Sequence, residues 1–471
     1  MKKNIIKITA LSLSIFLSGC SDFLSVEPKS SVAEEKMFSS VESFQQALTG
    51  VYSQLATQDL YGDRLSMGFV SALAQNYGVD WPNAPYDQTH KLVYNSKEVE
   101  DHLTTIWRGG YNAIAGVNKI LVNTQERRSL LTDESYALIR GEALGLRALL
   151  HFDLLRIFGP EYISGRDQKA IPYKTITEPM NTVPSTTAQV VDNILADLIE
   201  AEALLMPFDE VNVETRINRR IKFNYYAVRG LEARVRLYKG DKEGAFKAAK
   251  EVVDSEVFTF VTAAQAGASI GTRDRLYVNE LIFAIRSTEM QTWVDFYFKF
   301  NMHTSAKLTR ARTEIDQLYE NSTTDIRKLY RFDESQGALF PSKFWQDYVL
   351  TSGQGSTSIY RLDQLVPIIR LSEMYYILAE TASSPVEGYT YLNMVRARRG
   401  IEVPPNPDIS WEVLNREIAK EYQKEFYGEG QLFFYYKRKN YTRMQFLNQD
   451  LPLSIYRLPI PADELEYNPN Y

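Results

Sequence analysis

The chain has 471 residues, 44% of them hydrophobic and 24% charged, close to the averages of a globular protein. Those proportions exclude a disordered chain, a collagen and a polytopic membrane protein, and 24 glycines with 18 prolines are too few for low complexity. A net charge of −6 leaves no electrostatic footprint for nucleic acid.

The first element is a leader. Lys2, Lys3 and Lys7 make a basic start, Ile5 to Leu17 an apolar run, and Leu17-Ser18-Gly19-Cys20 a small-residue close. The run is too short and wrongly flanked for a spanning helix. The last four residues resemble a bacterial lipobox. Residues 1–19 are therefore expected to be a lipoprotein signal peptide. Cys20, the one cysteine, becomes the acylated first residue of the mature chain. Each buried acyl methylene contributes about 0.8 kcal/mol, so two or three acyl chains anchor stably.

Helical periodicity dominates the mature chain. Val41, Phe44, Leu48, Val51 and Leu55 define one apolar face, and Leu103, Trp107, Gly110, Ile114, Val117 and Leu121 a second. Tyr136, Ile139, Ala143, Leu146, Leu150, Leu154 and Ile157 form a third, stopped by Gly159-Pro160. Val190, Ile194, Leu198, Ala201 and Leu205 form a fourth, preceded by the capping candidates Ser185 and Thr186. A fifth helix carries Val228, Leu231, Val235 and Tyr238, turns at Gly240-Asp241, and leads to a sixth with Ala245, Ala248, Ala249 and Val252. Small residues at helical spacing around a glycine turn look like a tetratricopeptide unit, although no strict repeat of that length is visible. Further helices are predicted around Leu371–Leu378, around Leu392–Val395, and as one long element from Trp411 to Tyr436. Two irregular zones, 57–98 and 255–366, interrupt the pattern, and loops this long are usually functional. With no clean linker, residues 20–471 read as one domain.

Catalytic signatures are missing. His90, His102, His151 and His303 show no metal-ligand spacing, and there is no G-x-S-x-G elbow. Glu417, Glu421, Glu425 and Glu429 form a stripe interleaved with Arg416, Lys420 and Lys424, which reads as a solvated or ion-paired helix face rather than a metal or acid–base site. Loop carboxyl and carbonyl oxygens are donors of the kind that hold Ca²⁺, but no metal and no cofactor is assigned.

Aromatic residues carry the functional signal. In "WVDFYFKF", read as a half-buried strand, Val294, Phe296, Phe298 and Phe300 share one face, leaving Trp293 and Tyr297 on the other beside Asp295. Pro82 and Pro85 keep Trp81 and Tyr86 on a loop, near Asn76, Asp80 and Asn83. A flat ring beside hydrogen-bonding groups suits a sugar, covering its C–H face while polar groups take its hydroxyls. Trp81, Asn83, Tyr86, Trp293 and Tyr297 are the candidate ligand-binding residues.

The segment "IAKEYQKEFYGEGQLFFYYKR" (418–438) resembles the final helix of the SusD/RagB family, matching it at Ile418, Glu421, Glu425, Glu429, Gly430 and Arg438. Tyr422 and Leu432 stand where the family pattern has arginines, and Tyr435 where it has an aspartate. That loss of both signs suggests an ion-paired cluster exchanged for apolar packing. "RLSEMYYILAE" (370–380), "YLNMVRARRG" (391–400), "GEALGLRALLHFDLLRIFGP" (141–160) and "LPIPADEL" (458–465) resemble other family segments in the same order.

The resemblance implies a mainly α, SusD-like fold with four degenerate tetratricopeptide-like helix pairs and a loop-rich ligand side. It further implies a non-catalytic outer-membrane lipoprotein at the cell surface that binds a glycan and passes it to a SusC-like TonB-dependent transporter. The shared motifs belong to the scaffold, so they transfer no binding residue. A helical-repeat interaction scaffold without its own ligand, and a helical glycosidase, are the alternative readings.

Overall fold

The computed structural model describes residues 36–78, 84–177, 181–269, 272–298, 307–335, 337–344, 364–403 and 409–471. Its frame is a run of helices that pack on one another in chain order: α1 (Val41–Leu55), α2 (Lys97–Glu126), α3 (Asp133–Phe158), α4 (Thr187–Leu205), α5 (Tyr225–Lys239) and α6 (Lys242–Asp254). The expected faces are the buried ones. Phe44, Leu48, Val51 and Leu55 of α1 are buried, each contributing about 1.5–3 kcal/mol relative to exposure. Helix α3 departs from the one-faced expectation: it is buried on almost all sides from Ala143 to Phe158, because α2 and α4 flank it. Caps mark the ends. Thr186 accepts from the Gln189 N–H in a capping box, and Asp241 accepts from the Gly244 N–H directly after Gly240, the left-handed end of α5.

Strand β1 (Leu281–Arg286) leads into helix α7 (Met290–Tyr297). Next come β2 (Arg310–Ala311), β3 (Phe332–Ser335) and β4 (Ala338–Pro341), which form a small antiparallel sheet in the order β2-β4-β3. Strand β5 (Leu365–Arg370) pairs antiparallel with β1, and both are buried nearly throughout. Pro367 is tolerated because each strand of a two-stranded ribbon is an edge. Helices α8 (Leu371–Thr381) and α9 (Pro385–Arg398) resume the array, with α8 against α6.

Two sequence expectations fail here. "WVDFYFKF" does not start a strand: residues through Tyr297 are helical. Met290, Val294 and Tyr297, spaced by four and three, bury one stripe, and that period wins over the local alternation. The single helix from Trp411 to Tyr436 is two, α10 (Trp411–Glu425) and α11 (Leu432–Arg438). Gly428 and Gly430, both at φ 72°, break it. A Cβ on Gly430 would lie 2.4 Å from the Leu65 carbonyl oxygen, so only glycine fits the approach.

The glutamate stripe of α10 is ion-paired, but it is not solvated. Glu421, Glu425 and Glu429 are buried. Arg399 forks onto Glu280 (2.6 and 2.7 Å) and onto Glu425 (2.7 and 2.9 Å). Arg370 reaches Glu425 at 2.6 Å and Glu429 at 2.8 Å, and Arg327 reaches Glu421 at 2.8 Å and Glu425 at 3.0 Å. Burial alone would raise Glu425; the Arg399, Arg370 and Arg327 charges outweigh it and hold the carboxyl well below its usual range. Glu421 is held at about 2 by the same balance, with Arg327 the largest opposing charge. This network fastens the irregular half of the chain to the helices. Where the chain departs from the SusD/RagB pattern, Tyr422 and Tyr435 stack with ring centroids 4.2 Å apart, and Leu432 is buried.

Candidate ligand-binding surface

The candidate residues separate into three groups. Trp81 and Asn83 lie outside the described residues, as do Cys20, Asp80 and His303. Tyr86 and Tyr297 are buried, not presented on a loop or strand face. Trp293 is half-buried on α7.

Tyr86 and Tyr297 are structural. Both hydroxyls donate to Oδ2 of the buried Asp63, at 2.7 and 2.9 Å, and they lie 3.2 Å from each other. Burial pushes the Asp63 carboxyl up, against the pull of the two tyrosine hydroxyls and of Arg64. The same burial, with Asp63 next to them, pushes both phenols up, so they stay protonated donors. Helix α7 is thus hung on Asp63 through Tyr297, and the residues around Tyr86 hang on the same atom. Asn76 is also structural: its side-chain oxygen accepts from the Gly428 N–H at 2.9 Å. His151 is a satisfied core residue, bonded to the Arg147 carbonyl and the Lys174 N–H.

Helix α7 carries two further rings, the half-buried Trp293 and the exposed Phe296. Phe296, three residues after Trp293 and hence on a neighbouring part of the same face, is 47% exposed. The Lys307 ammonium sits 3.2 Å from the Phe296 ring centroid. The indole nitrogen of Trp293 is buried and has no hydrogen-bond partner among the described residues.

Beside the start of α7 runs a groove of about 370 Å³, apolar over much of its surface and edged by hydroxyl and charged side chains. Helix α1 supplies Thr49, Tyr52 and Ser53, the turn after it Thr57, the stretch before α5 Lys222, and the end of β1 and its turn Arg286 and Glu289. Glu289, which lines the groove, precedes Trp293 by four residues, about one helical turn. The Ser287 hydroxyl donates to the Ala56 carbonyl at 2.8 Å and locks this turn to α1. The Tyr52 hydroxyl donates to Glu142 at 2.9 Å and accepts from the Phe223 N–H at 2.7 Å, so its ring is fixed as a wall under the Lys222 ammonium, 5.0 Å from the centroid. Sequence reasoning missed this groove. Three distant segments build it, and no local pattern links Tyr52, Lys222 and Arg286.

Among the described residues, no three His, Cys, Asp or Glu side chains are grouped to hold a metal ion, and no helix is long and apolar enough to cross a membrane.

Comparison with known proteins places this geometry. Residues 22–237 match a family described as starch-binding and associating with the outer membrane, and residues 274–464 match the SusD family. Two SusD-like proteins of Formosa agariphila are similar, one 27% identical over 256 residues (53% of this chain, 46% of that protein), the other 25% identical over 253 residues (54% and 45%). The match spans about half the length of these curated relatives. Among solved structures, a SusD superfamily protein from Bacteroides thetaiotaomicron superimposes with a TM-score of 0.71 at 21% identity, covering 92% of this chain and 98% of its own. A SusD-like carbohydrate binding protein from Bacteroides vulgatus does so with a TM-score of 0.70 at 16% identity, covering 92% and 97%. The scaffold segments, the mainly helical fold and the two family matches agree: the chain belongs to the SusD/RagB family.

Proposed function

We propose that this protein captures an oligosaccharide at the cell surface and delivers it to a SusC-like TonB-dependent transporter, without chemistry of its own. One observation carries the reading: Trp293 and Phe296 follow Glu289 on α7, and Glu289 lines a groove of about 370 Å³ edged by hydroxyl and charged side chains. Rings cover the apolar faces of a sugar, and hydroxyl-rich walls take its polar edges. An open site of this kind gives a Kd on the order of 10 μM to 1 mM. The packed helices, read as tetratricopeptide-like pairs, are the rigid frame. A lipid anchor at Cys20 holds the frame at the outer membrane, facing the exterior.

Trp293→Ala is the test of the site. On an affinity gel carrying a glycan that the wild-type protein retains, the variant should lose retention by roughly 5- to 150-fold, the loss expected when about 1–3 kcal/mol of ring contact goes. Unchanged retention would remove α7 from the site. The anchor has its own test. Cys20→Ala should abolish fatty-acid labelling of the expressed protein; persistent label would refute acylation at that residue.

A further inference from the structure

We propose that the groove between α1 and the β1–α7 turn takes a negatively charged saccharide, one bearing carboxylate or sulfate groups; this rests on the capture reading above and names its ligand class. The chain is acidic overall, and most of its buried arginines are matched by carboxylates. The helical side shows the rule. There a second groove, of about 360 Å³, is lined by Arg229 and Arg236. Arg229 pairs with Glu202, Glu232 and Glu251, and Arg236 with Glu232 and Asp241. Both arginines of that groove are spent on its own carboxylates, which leaves only the exposed Lys247 among its lining cations.

The groove beside α7 breaks the rule. Lys222 and Arg286, both half-buried, pair with no carboxylate among the described residues. Lys222 faces only the Tyr52 ring. Arg286 uses its Nε on the Gln364 side-chain oxygen at 3.1 Å, which orients the guanidinium and leaves its two terminal nitrogens to fork onto an anionic group. Lys307, over Phe296 of α7, is a third cation without a carboxylate partner among the described residues.

The hydroxyl groups specify the rest of the ligand. Thr49 donates to the Gln45 carbonyl, Ser53 to the Thr49 carbonyl and Thr57 to the Gln54 carbonyl, at 2.8–2.9 Å. Each hydroxyl proton is spent within the chain, so toward the groove these oxygens are acceptors. Acceptors in a row suit a ligand rich in O–H donors, and cations among them suit one that also carries negative charge. A simple anion satisfies only the second condition, and a neutral sugar only the first. Glu289 at the rim is the opposing charge, and it weakens the preference without cancelling two cations.

The measurement is calorimetric titration of the soluble protein, from Ser21 on, with a short oligogalacturonate, a sulfated oligosaccharide, the neutral oligogalactoside of matching length, and an oligoglutamate. The expected result is binding of one acidic saccharide in preference to the neutral one, weakening as salt rises. Arg286→Gln and Lys222→Gln should each cut that preference by about 10-fold, the worth of a charge-assisted hydrogen bond. Glu289→Gln should raise it, and as a gain it cannot come from misfolding. Equal binding of acidic and neutral saccharides, or a preference indifferent to all three substitutions, overturns the inference and leaves saccharide capture standing. Oligoglutamate bound as tightly as the acidic saccharides overturns it in favour of a peptide ligand. If neither a neutral nor an acidic saccharide binds and Trp293→Ala changes nothing, capture itself has failed.

Discussion

Replacing Glu425 by alanine should lower the stability of the fold by about 3–5 kcal/mol, the cost of leaving buried charges without their partner. Few surface changes approach that figure. The Glu425 carboxylate is fully buried and receives Arg399, Arg370 and Arg327, all of them buried too. Removal strands three guanidiniums where water cannot reach. Arg399 keeps Glu280, Arg370 keeps Glu429 and Arg327 keeps Asp325, so the loss is partial rather than total. Glu425→Gln keeps the shape and removes the charge, and it should fall between wild type and alanine. Urea midpoints of the three proteins check the order. A loss of under about 1 kcal/mol for alanine would mean that the network contributes little beyond filling space.

The second large effect is acid sensitivity. Burial holds the His151 imidazole neutral down to about pH 3, and burial together with Arg64 holds His102 down to about pH 4, against an ordinary 6.5. Geometry agrees. Nε2 of His151 accepts the Lys174 N–H, so Nδ1 carries the one proton and donates it to the Arg147 carbonyl. Nδ1 of His102 accepts from Arg64 Nε at 3.1 Å. An unfolded chain takes up protons at both rings near pH 6.5 and the folded chain does not. Below 6.5 the unfolded state therefore binds more protons, and stability falls as pH falls. Between pH 7 and pH 5 the two rings together should remove roughly 2–4 kcal/mol. Glu421 and Glu425 add to the loss only at lower pH, because both are held below the usual carboxylate range. Asp63, pushed up by burial, acts in the opposite sense. His151→Gln keeps a donor and an acceptor but cannot titrate. Its melting temperature should fall about half as far as the wild type's over that interval; equal falls would show that His151 does not charge on unfolding.

Much of the frame was legible because a helix against a core repeats its apolar residues locally. The faces of α1, α2, α4, α5 and α6 needed no knowledge of their neighbours. What failed was whatever depended on distant partners. Glu421 and Glu425 resemble a surface stripe in sequence, and only Arg327, Arg370 and Arg399, from three other segments, make them interior. The latter part of α7, from Trp293, was misread because alternation over a few residues outweighed a stripe that begins earlier, at Met290. Of the ligand-binding candidates, Trp293 follows the groove residue Glu289 by about one helical turn, whereas Tyr86 and Tyr297 were misplaced as surface planes. A tyrosine with Asp63 as a partner far away in the chain looks, locally, like any loop tyrosine. Lys222 and Arg286 carried no signal at all.

The shared grip of Tyr86 and Tyr297 on Asp63 has a thermodynamic corollary. The helix that displays Trp293 is pinned at its last residue before any guest arrives, and the turn that opens it is tied to the Ala56 carbonyl. Under the proposed capture, little motional freedom is left to surrender on docking, so weak contacts would convert into residence with small entropic loss. Tyr297→Phe would release that restraint without touching the displayed surface, making the receptor a softer mould in place of a ready-set one.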